Sequence, residues 1–431
     1  MAKELRVLVA EEELGSLFLE RGRIRFVYEE AWRGGGSAFP LSLSMPLAAA
    51  EHSGDAVENY LWNLLPDREE TLMALARQYS VSSRNPFALV GAHGQDLPGA
   101  VQILPPELVA TSIAREGVKW VSEKRLAEFL GLLIQNPGLN RINEDANHFS
   151  LAGAQPKKAV LWMGGRWYEH KGRTPTTHII KPPIRDLDFS VENEHFCLRL
   201  AAAIGLPTAK SEVVKIDGVP NIVVERYDRV RFNGAKRMPL NEAGGVIYRI
   251  HQEDLCQSLG VSPKEKYQKD GGPTMADIMR VLDGSSNAQA DRERFMRACA
   301  FNFVVLGIDA HAKNFSILID HTGYRLAPLY EIISAAAYDT YRYDRMAMKV
   351  GGEYRWRWIA QRHWERAAQE CRFPVAETMR ILAETIQQVR TQSAAVLQSC
   401  HKAGLKSDFL TNLAHAIEKR CNELAAVYVA A

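Results

Sequence analysis

The chain has 431 residues, 46% hydrophobic and 24% charged, with 30 Gly and 19 Pro, a composition that excludes collagenous, low-complexity and wholly disordered classes. At roughly 150 residues per domain it suggests two or three domains. Lys+Arg 53 against Asp+Glu 51 is too balanced for a general nucleic-acid or membrane binder, although residues 1–110 hold 9 basic and 15 acidic side chains (net −6) and the remainder 44 and 36 (net +8). A basic larger part suits phosphate ligands or an acidic partner.

In chain order, short apolar runs (LRVLV, IRFVY) flank turn material, and GGGSAFPLSLSMPL reads as extended. A helical stretch around 58–65 stops at Pro66-Asp67, and Pro105-Pro106 is the first plausible boundary. The next helix spans about 122–135, with Ser122 as N-cap and Leu126, Phe129, Leu130 and Leu133 on one face. AVLWM, Gly164-Gly165 and RWYEH make a hairpin by turn chemistry, and THIIK is a third strand. Residues 192–204 read as helix, closed by Gly205 and Pro207. SEVVKI, Asp217-Gly218 and VPNIVVERY form a second hairpin. From about 253 onward the pattern is mostly helical, with an apolar stripe Met296, Cys299, Ala300, Phe303, Val304 ending near Gly307, one hairpin (FSILID, HTG, YRLAP), and a helix-rich stretch over 360–428.

Six cysteines stand without any C-x-x-C pair, so zinc ribbons and redox motifs are not expected. They read as reduced thiols of a cytoplasmic protein. MAKELRVLVAEEE runs from a short apolar stretch straight into three glutamates, unlike a signal peptide. No apolar run approaches the ~18 residues of a membrane span. The histidines lack the i,i+4 spacing of a zinc pair. The cluster Tyr354-Arg355-Trp356-Arg357-Trp358 mixes cation and ring, which suits nucleic acid or a partner; packing of its tryptophans on the C-terminal lobe is the simpler reading.

A β-rich segment followed by a helical one is the order of a protein kinase. Phosphoryl transfer needs amides and a lysine on the phosphates, a carboxylate to orient the acceptor hydroxyl, and an Asn and an acid for magnesium. Asp309-Ala-His-Ala-Lys-Asn314 has the D-x-x-x-x-N spacing directly after an apolar helix, and the following hairpin leads to Glu331. Lys181 ends a strand, Glu192 and Glu194 open a helix, and Glu225 ends the second hairpin. No G-x-x-x-x-G-K-[ST] occurs, which excludes P-loop NTPases. A G-x-G-x-x-G is also absent before the first hairpin, where SLAGAQPK (150–157) stands instead.

The motifs SLAGAQPK, TTHIIK (176–181), ENEHFCLRLA (192–201), VVERYDR (223–229), HQEDLCQSLG (251–260), YQKDGGP (267–273), GIDAHAKNFS (307–316) and LAPLYEIISA (326–335) resemble the HipA-like serine/threonine kinases, toxins of type II toxin–antitoxin modules. PLSLSMPL, NLLPD and GAVQ resemble the small domain ahead of the kinase core in that family. The resemblance implies an α+β fold: a mixed α/β N-terminal domain over 1–115, a β-rich kinase N-lobe over 116–230 and a helical C-lobe over 231–431. It implies ATP and Mg²⁺, with Asp309 as catalytic base, Asn314 and Glu331 on the metal, and Lys181 on the ATP phosphates. Ala152, Gly153, Ala154, Gln155 and Lys157 would form the phosphate loop, with Lys158 competing for the role of Lys157. Glu225, Arg226 and Tyr227 would contact adenine, His311 would sit in the catalytic loop of the ATP site, and Ser150 would be autophosphorylated. Gln252-Glu253-Asp254 would be structural or substrate-facing. The family pattern ends Leu-x-Pro-x-Tyr-Asp, and here the acid is Glu331, one methylene longer, which affects a metal with strict octahedral demands. Implied partners are a HipB-like helix-turn-helix antitoxin, operator DNA through that complex, and a protein substrate among aminoacyl-tRNA synthetases, glutamyl-tRNA synthetase being the family's best-known case. The other reading is a weakly active kinase fold serving mainly as co-repressor.

Overall fold

The structure, a computed structural model, describes residues 3–114, 117–135, 153, 155–339 and 345–429. The chain forms two compact units. The first holds Met1–Asp186, Val214–Lys264 and Leu318–Gly323; the second holds Leu187–Val213, Glu265–Ile317 and Tyr324–Ala431.

The first unit opens with an antiparallel five-stranded sheet in the order Glu51–Ser53, Arg23–Tyr28, Glu12–Glu20, Glu4–Val9, Val101–Leu104. Alternation buries Leu5 and Val7 of the first strand and Ile24, Phe26 and Tyr28 of the third. These close a core with Val57, Tyr60 and Leu61 of the helix Asp55–Asn63 and with Phe87, Leu89 and Val90 of the helix Pro86–His93. A second sheet carries, in order, Ser211–Ile216, Val219–Glu225, His178–Lys181, Lys158–Met163, Arg166–Lys171 and Gly117–Trp120. The helix Glu123–Gln135 covers it with the four residues that periodicity selects, Leu126, Phe129, Leu130 and Leu133, against Val160, Ile180 and Val223.

Two departures from the sequence pattern have physical reasons. The strand Glu12–Glu20 begins with two glutamates that hide its apolar centre, where Leu14–Leu17 are buried. The segment before 254 carries a further sheet, Lys236–Met238, Arg229–Asn233 and Val246–Arg249, whose middle strand buries Arg229 and Arg231 instead of aliphatic residues. Arginines on a buried face carry no hydrophobic periodicity to detect.

Arg231 donates to the Leu240 carbonyl, whereas Arg229 belongs to a charge cluster within the first unit. Asp96, wholly buried, accepts from Arg226 (3.0 Å), Arg229 (3.0 Å) and Arg249 (3.2 Å). Asp228 accepts from Arg226 (2.9 Å) and Arg229 (2.8 Å). Burial by itself would raise the Asp96 pKa, but the three guanidiniums outweigh it and hold the carboxyl well below the ordinary carboxylate range. Burial and the neighbouring Arg226 also lower the Arg229 pKa, to about 10.

The second unit is mainly helical. Ser190–Ala203, Ala288–Val305, Gln361–Glu370, Val375–Lys402 and Asp408–Tyr428 pack around Phe303 and Trp364, whose rings meet edge to face at 5.5 Å. The hairpin Arg345–Val350 with Glu353–Arg355 is the strand pair that the helical pattern over this region passes over. Beyond it, Trp356 lies between Arg357 and Arg420, with each guanidinium less than 5 Å from the ring centroid, while Trp358 is exposed beneath Arg355. All six cysteines are buried free thiols. Among the described residues no helix is long and apolar enough to cross a membrane.

Replacing Asp96 with Ala leaves three buried guanidiniums against Asp228 alone, and uncompensated buried charge costs about 3–5 kcal/mol. Urea unfolding at pH 7 should show a loss of that order. Because the folded pKa is depressed, the Asp96 contribution is present above the ordinary carboxylate pKa and is lost as pH falls through the folded value. The gap between wild type and variant therefore narrows only in acid; a gap that closes between pH 6 and 8 would contradict this.

Candidate active site

The helix Ala288–Val305 delivers the D-x-x-x-x-N loop, and its end is unusually well tied. The last carbonyls of a helix lack intrahelical partners. Here Arg420 donates to the carbonyls of Phe303 (2.9 Å) and Val304 (3.1 Å), Ser334 Oγ to Val305 (2.5 Å), and the Ala335 amide to Leu306 (2.9 Å). Leu306 takes the left-handed conformation (φ 56°), and the Gly307 amide returns to the Asn302 carbonyl at 2.7 Å. A Cβ on Gly307 would lie 2.2 Å from Asn302 Oδ1, so a larger residue at the start of the loop would displace that buried side chain. Ser334 is itself gripped by Asn193, which donates to its carbonyl and accepts from its amide, each at 2.8 Å. That gives the ENEH motif a clear role.

The loop then folds on itself. The His311 amide donates to the Asp309 carbonyl (2.8 Å), the Asn314 amide to the His311 carbonyl (2.9 Å), and Asn314 Nδ2 to the Asp309 carbonyl (2.8 Å). Because a carbonyl only accepts, Nδ2 is the donor, and Oδ1 is the amide atom left to act as a ligand. Asp309 exposes 62% of its side chain, and Tyr267 Oη donates to its Oδ1 at 2.6 Å. His311 is buried, with its ring perpendicular to that of Tyr267 (centroids 4.8 Å apart) and Nε2 4.0 Å from Asp309 Oδ1, so its place is inside the loop. Tyr330 Oη donates to the Lys313 carbonyl (2.8 Å) and lies 2.7 Å from Ser316 Oγ, which holds the segment carrying Glu331 to this loop. Glu331 has φ 51°, a left-handed conformation that aspartate adopts more readily than glutamate.

Asp309, His311, Asn314 and Glu331 thus belong to the second unit, whereas Gly153, Gln155, Lys157, Lys181, Glu225, Arg226 and Tyr227 belong to the first. Ser150, Ala152 and Ala154 lie outside the described residues. Gly153 (φ 108°) forms a parallel bridge with Pro66, and its carbonyl accepts from the Asp67 amide at 3.3 Å, so the NLLPD motif meets the chain at Gly153. Gln155 Nε2 donates to the Pro182 carbonyl at 3.3 Å, one residue past Lys181. Lys181 is buried at the end of its strand, paired with Ile222. Lys157 and Lys158 are both buried. Lys158 makes a buried ion pair with Glu169 at 3.0 Å and sits over the Phe129 ring at 4.1 Å, and burial lowers its pKa to about 8. That commits Lys158 to the lobe's interior.

Arg226 needs a correction as an adenine contact. All five of its guanidinium hydrogens are used: on Asp228 (3.1 and 2.9 Å), Asp96 (3.0 Å), Thr176 Oγ1 (2.8 Å) and the Leu97 carbonyl (2.9 Å). Its amide donates to Thr177. Arg226 is therefore an anchor beneath the segment, with Glu225 and Tyr227 on either side. Tyr227 Oη donates to Gln252 Oε1 at 2.5 Å. The rest of that motif is also structural. Glu253 is buried, accepts from the Leu43 amide at 2.9 Å, and has its pKa raised by burial to about 8, while Asp254 caps the helix Leu255–Ser258.

Sequence reasoning missed Asp96, Tyr267 and Tyr330 as members of these sites. Tyr267 stands in YQKDGGP, which marks a special loop without disclosing what it touches. Asn314 and Glu331 carry hard oxygen donors of the kind that suit magnesium. Among the described residues no group of three or more His, Cys, Asp or Glu makes a metal cage.

Residues 149–393 match the HipA-like C-terminal domain and residues 5–104 the HipA N-terminal domain. Putative kinase Y4mE of Sinorhizobium fredii is 35% identical over 403 residues, 93% of each chain. The serine/threonine-protein kinase toxin HipA of Shewanella oneidensis is 28% identical over 341 residues, 76% of this chain and 73% of that protein. In the solved complex of Shewanella oneidensis HipA, HipB and operator DNA, a chain covering 97% of this one and 97% of itself superposes with a TM-score of 0.82 at 22% identity, which establishes the fold: α+β, with an N-terminal domain and then a kinase-like core. With both family domains present in order, this chain belongs to the HipA-like family.

Proposed function

We propose that this protein is an ATP- and Mg²⁺-dependent serine/threonine protein kinase that acts as the toxin of a toxin–antitoxin pair. The observation that carries the reading is the Asp309–Asn314 loop: an exposed carboxylate aimed by a hydrogen bond, five residues before an amide whose oxygen is left for a cation. ATP supplies the transferred γ-phosphoryl group, and magnesium, when bound, spreads its negative charge. Asp309 accepts the hydrogen bond of the acceptor hydroxyl and orients its oxygen for in-line attack. Asn314 and Glu331 offer oxygens to the cation, and Lys181 and Lys157 offer positive charge to the phosphates. Gly153 lets the chain come close to phosphate, and Glu225 and Tyr227 border the adenine.

The partner in this reading is a HipB-like helix-turn-helix protein, with operator DNA reached through the complex; the Shewanella oneidensis assembly supports it. A translation enzyme, an aminoacyl-tRNA synthetase and glutamyl-tRNA synthetase first among them, is the substrate the family resemblance favours. A cytoplasmic location follows from the same reading.

Pure protein incubated with γ-labelled ATP and cell lysate should transfer label to serine or threonine. Asp309→Ala should lower that rate by about 10²–10⁴-fold, the usual contribution of an acid–base group, with thermal stability and nucleotide affinity unchanged. Transfer equal to wild type would overturn the assignment of this loop.

Ser150 is the proposed site of autophosphorylation. The added charge of about −1.5 to −2 next to a loop that receives phosphates should expel nucleotide. Intact mass after ATP incubation should show the adduct, with the Ser150→Ala variant unmodified and the modified fraction binding ATP more weakly. Unchanged ATP affinity in the modified protein would remove self-limitation from the function.

A further inference from the structure

The carboxylate of Asp309 is well exposed, and an exposed aspartate samples several rotamers unless something holds it. Tyr267 Oη holds it, donating to Oδ1 at 2.6 Å. The loop around Tyr267 is tied on several sides. Its carbonyl accepts from the amides of Asp270 and Gly272, both at 3.0 Å, closing a turn around the short helix Gln268–Asp270. A Cβ on Gly272 would lie 1.9 Å from the Glu265 carbonyl, so the turn closes only with glycine there. Gln268 Oε1 accepts from the Lys349 amide at 2.7 Å, tying the loop to the strand Arg345–Val350. The Tyr267 ring stands perpendicular to that of His311 (centroids 4.8 Å apart), and the ammonium groups of Lys266 and Lys269 lie 5.6 and 5.4 Å from the tyrosine centroid. One residue thus touches both the catalytic carboxylate and the histidine that fills the loop behind it.

We propose that Tyr267 is a positioning residue for phosphotransfer: its hydroxyl fixes Oδ1 of Asp309 so that Oδ2 is presented to the acceptor hydroxyl. The proposal rests on the kinase reading. Orientation of a reacting group within a fraction of an ångström is worth large factors in rate, and displacement by about 1 Å costs on the order of 10²-fold. A carboxylate that keeps its charge but loses one tether forfeits part of that. YQKDGGP then exists to carry the tyrosine, which explains why a polar, glycine-closed turn occupies this place.

The test is Tyr267→Phe, which removes one oxygen and keeps the ring on His311. The readout is the initial rate of label transfer from γ-labelled ATP to the protein itself, at saturating ATP and across an ATP titration. The variant is made both in wild type and in Asp309→Asn. The maximal rate should fall about tenfold, with half-saturating ATP and melting temperature unchanged, and no further fall should occur in the Asp309→Asn background. Residues that act as one unit are non-additive. An unchanged or faster maximal rate in Tyr267→Phe would overturn the proposal, the faster rate making the hydroxyl a competitor for Asp309. Equal fractional losses in both backgrounds, or a raised half-saturating ATP with a lowered melting temperature, would also overturn it in favour of a structural role. If wild type transfers no label and binds no ATP, the kinase reading fails and takes this proposal with it.

Discussion

One wholly buried carboxylate, Asp96, sits against three arginines, and much of the first unit is organised around it. A buried ion cluster is not by itself a source of stability, since desolvation offsets most of the attraction. What it supplies is position. Each guanidinium has a fixed fork of donors, and Arg226 fills all five on Asp96, Leu97, Thr176 and Asp228. The segment Glu225–Tyr227 therefore has one place to be. A hydrophobic contact in the same spot would tolerate sliding; five directed hydrogen bonds do not.

Residues 1–104 touch the rest of the first unit in three other ways, each at a motif the sequence already marks. Asp67 of NLLPD meets Gly153, Ser42 and Leu43 of PLSLSMPL meet Gln257 and Glu253, and Gly99 of the GAVQ approach packs on Gln252. Gly99 also donates to Asp228 at 2.7 Å. The second unit uses a different device for the same end. The helix that delivers Asp309 has its last carbonyls satisfied by Arg420, Ser334 and Ala335, so the loop starts from a fixed point.

Local chemistry made part of this legible from the residues. The helix Glu123–Gln135 and the hairpin at Gly164-Gly165 follow from periodicity and turn residues, and the Asp309–Asn314 spacing, together with the order of lobes, pointed to the proposed site. The long motifs then identified the family. What stayed hidden is what depends on partners far away in sequence. Asp96 pairs with residues 130 or more positions on, and Arg226 reads as an exposed hinge residue until its counter-charges are known. The strands over 229–249 bury arginines, which no hydrophobic pattern reveals. Tyr267 is 42 residues from Asp309, and only folding brings its hydroxyl there.

The central claim is that the Asp96–Gly99 segment and the Glu225–Asp228 segment are one cooperative structure. Native-state hydrogen exchange at rising denaturant tests it on wild-type protein. The Gly99 amide, held by Asp228, and the Arg226 amide, held by Thr177, should open with the same free energy and the same denaturant slope. Exchange of Gly99 through a smaller, denaturant-insensitive opening while Arg226 stays protected would show that the N-terminal segment merely rests on the hinge, and would contradict the account.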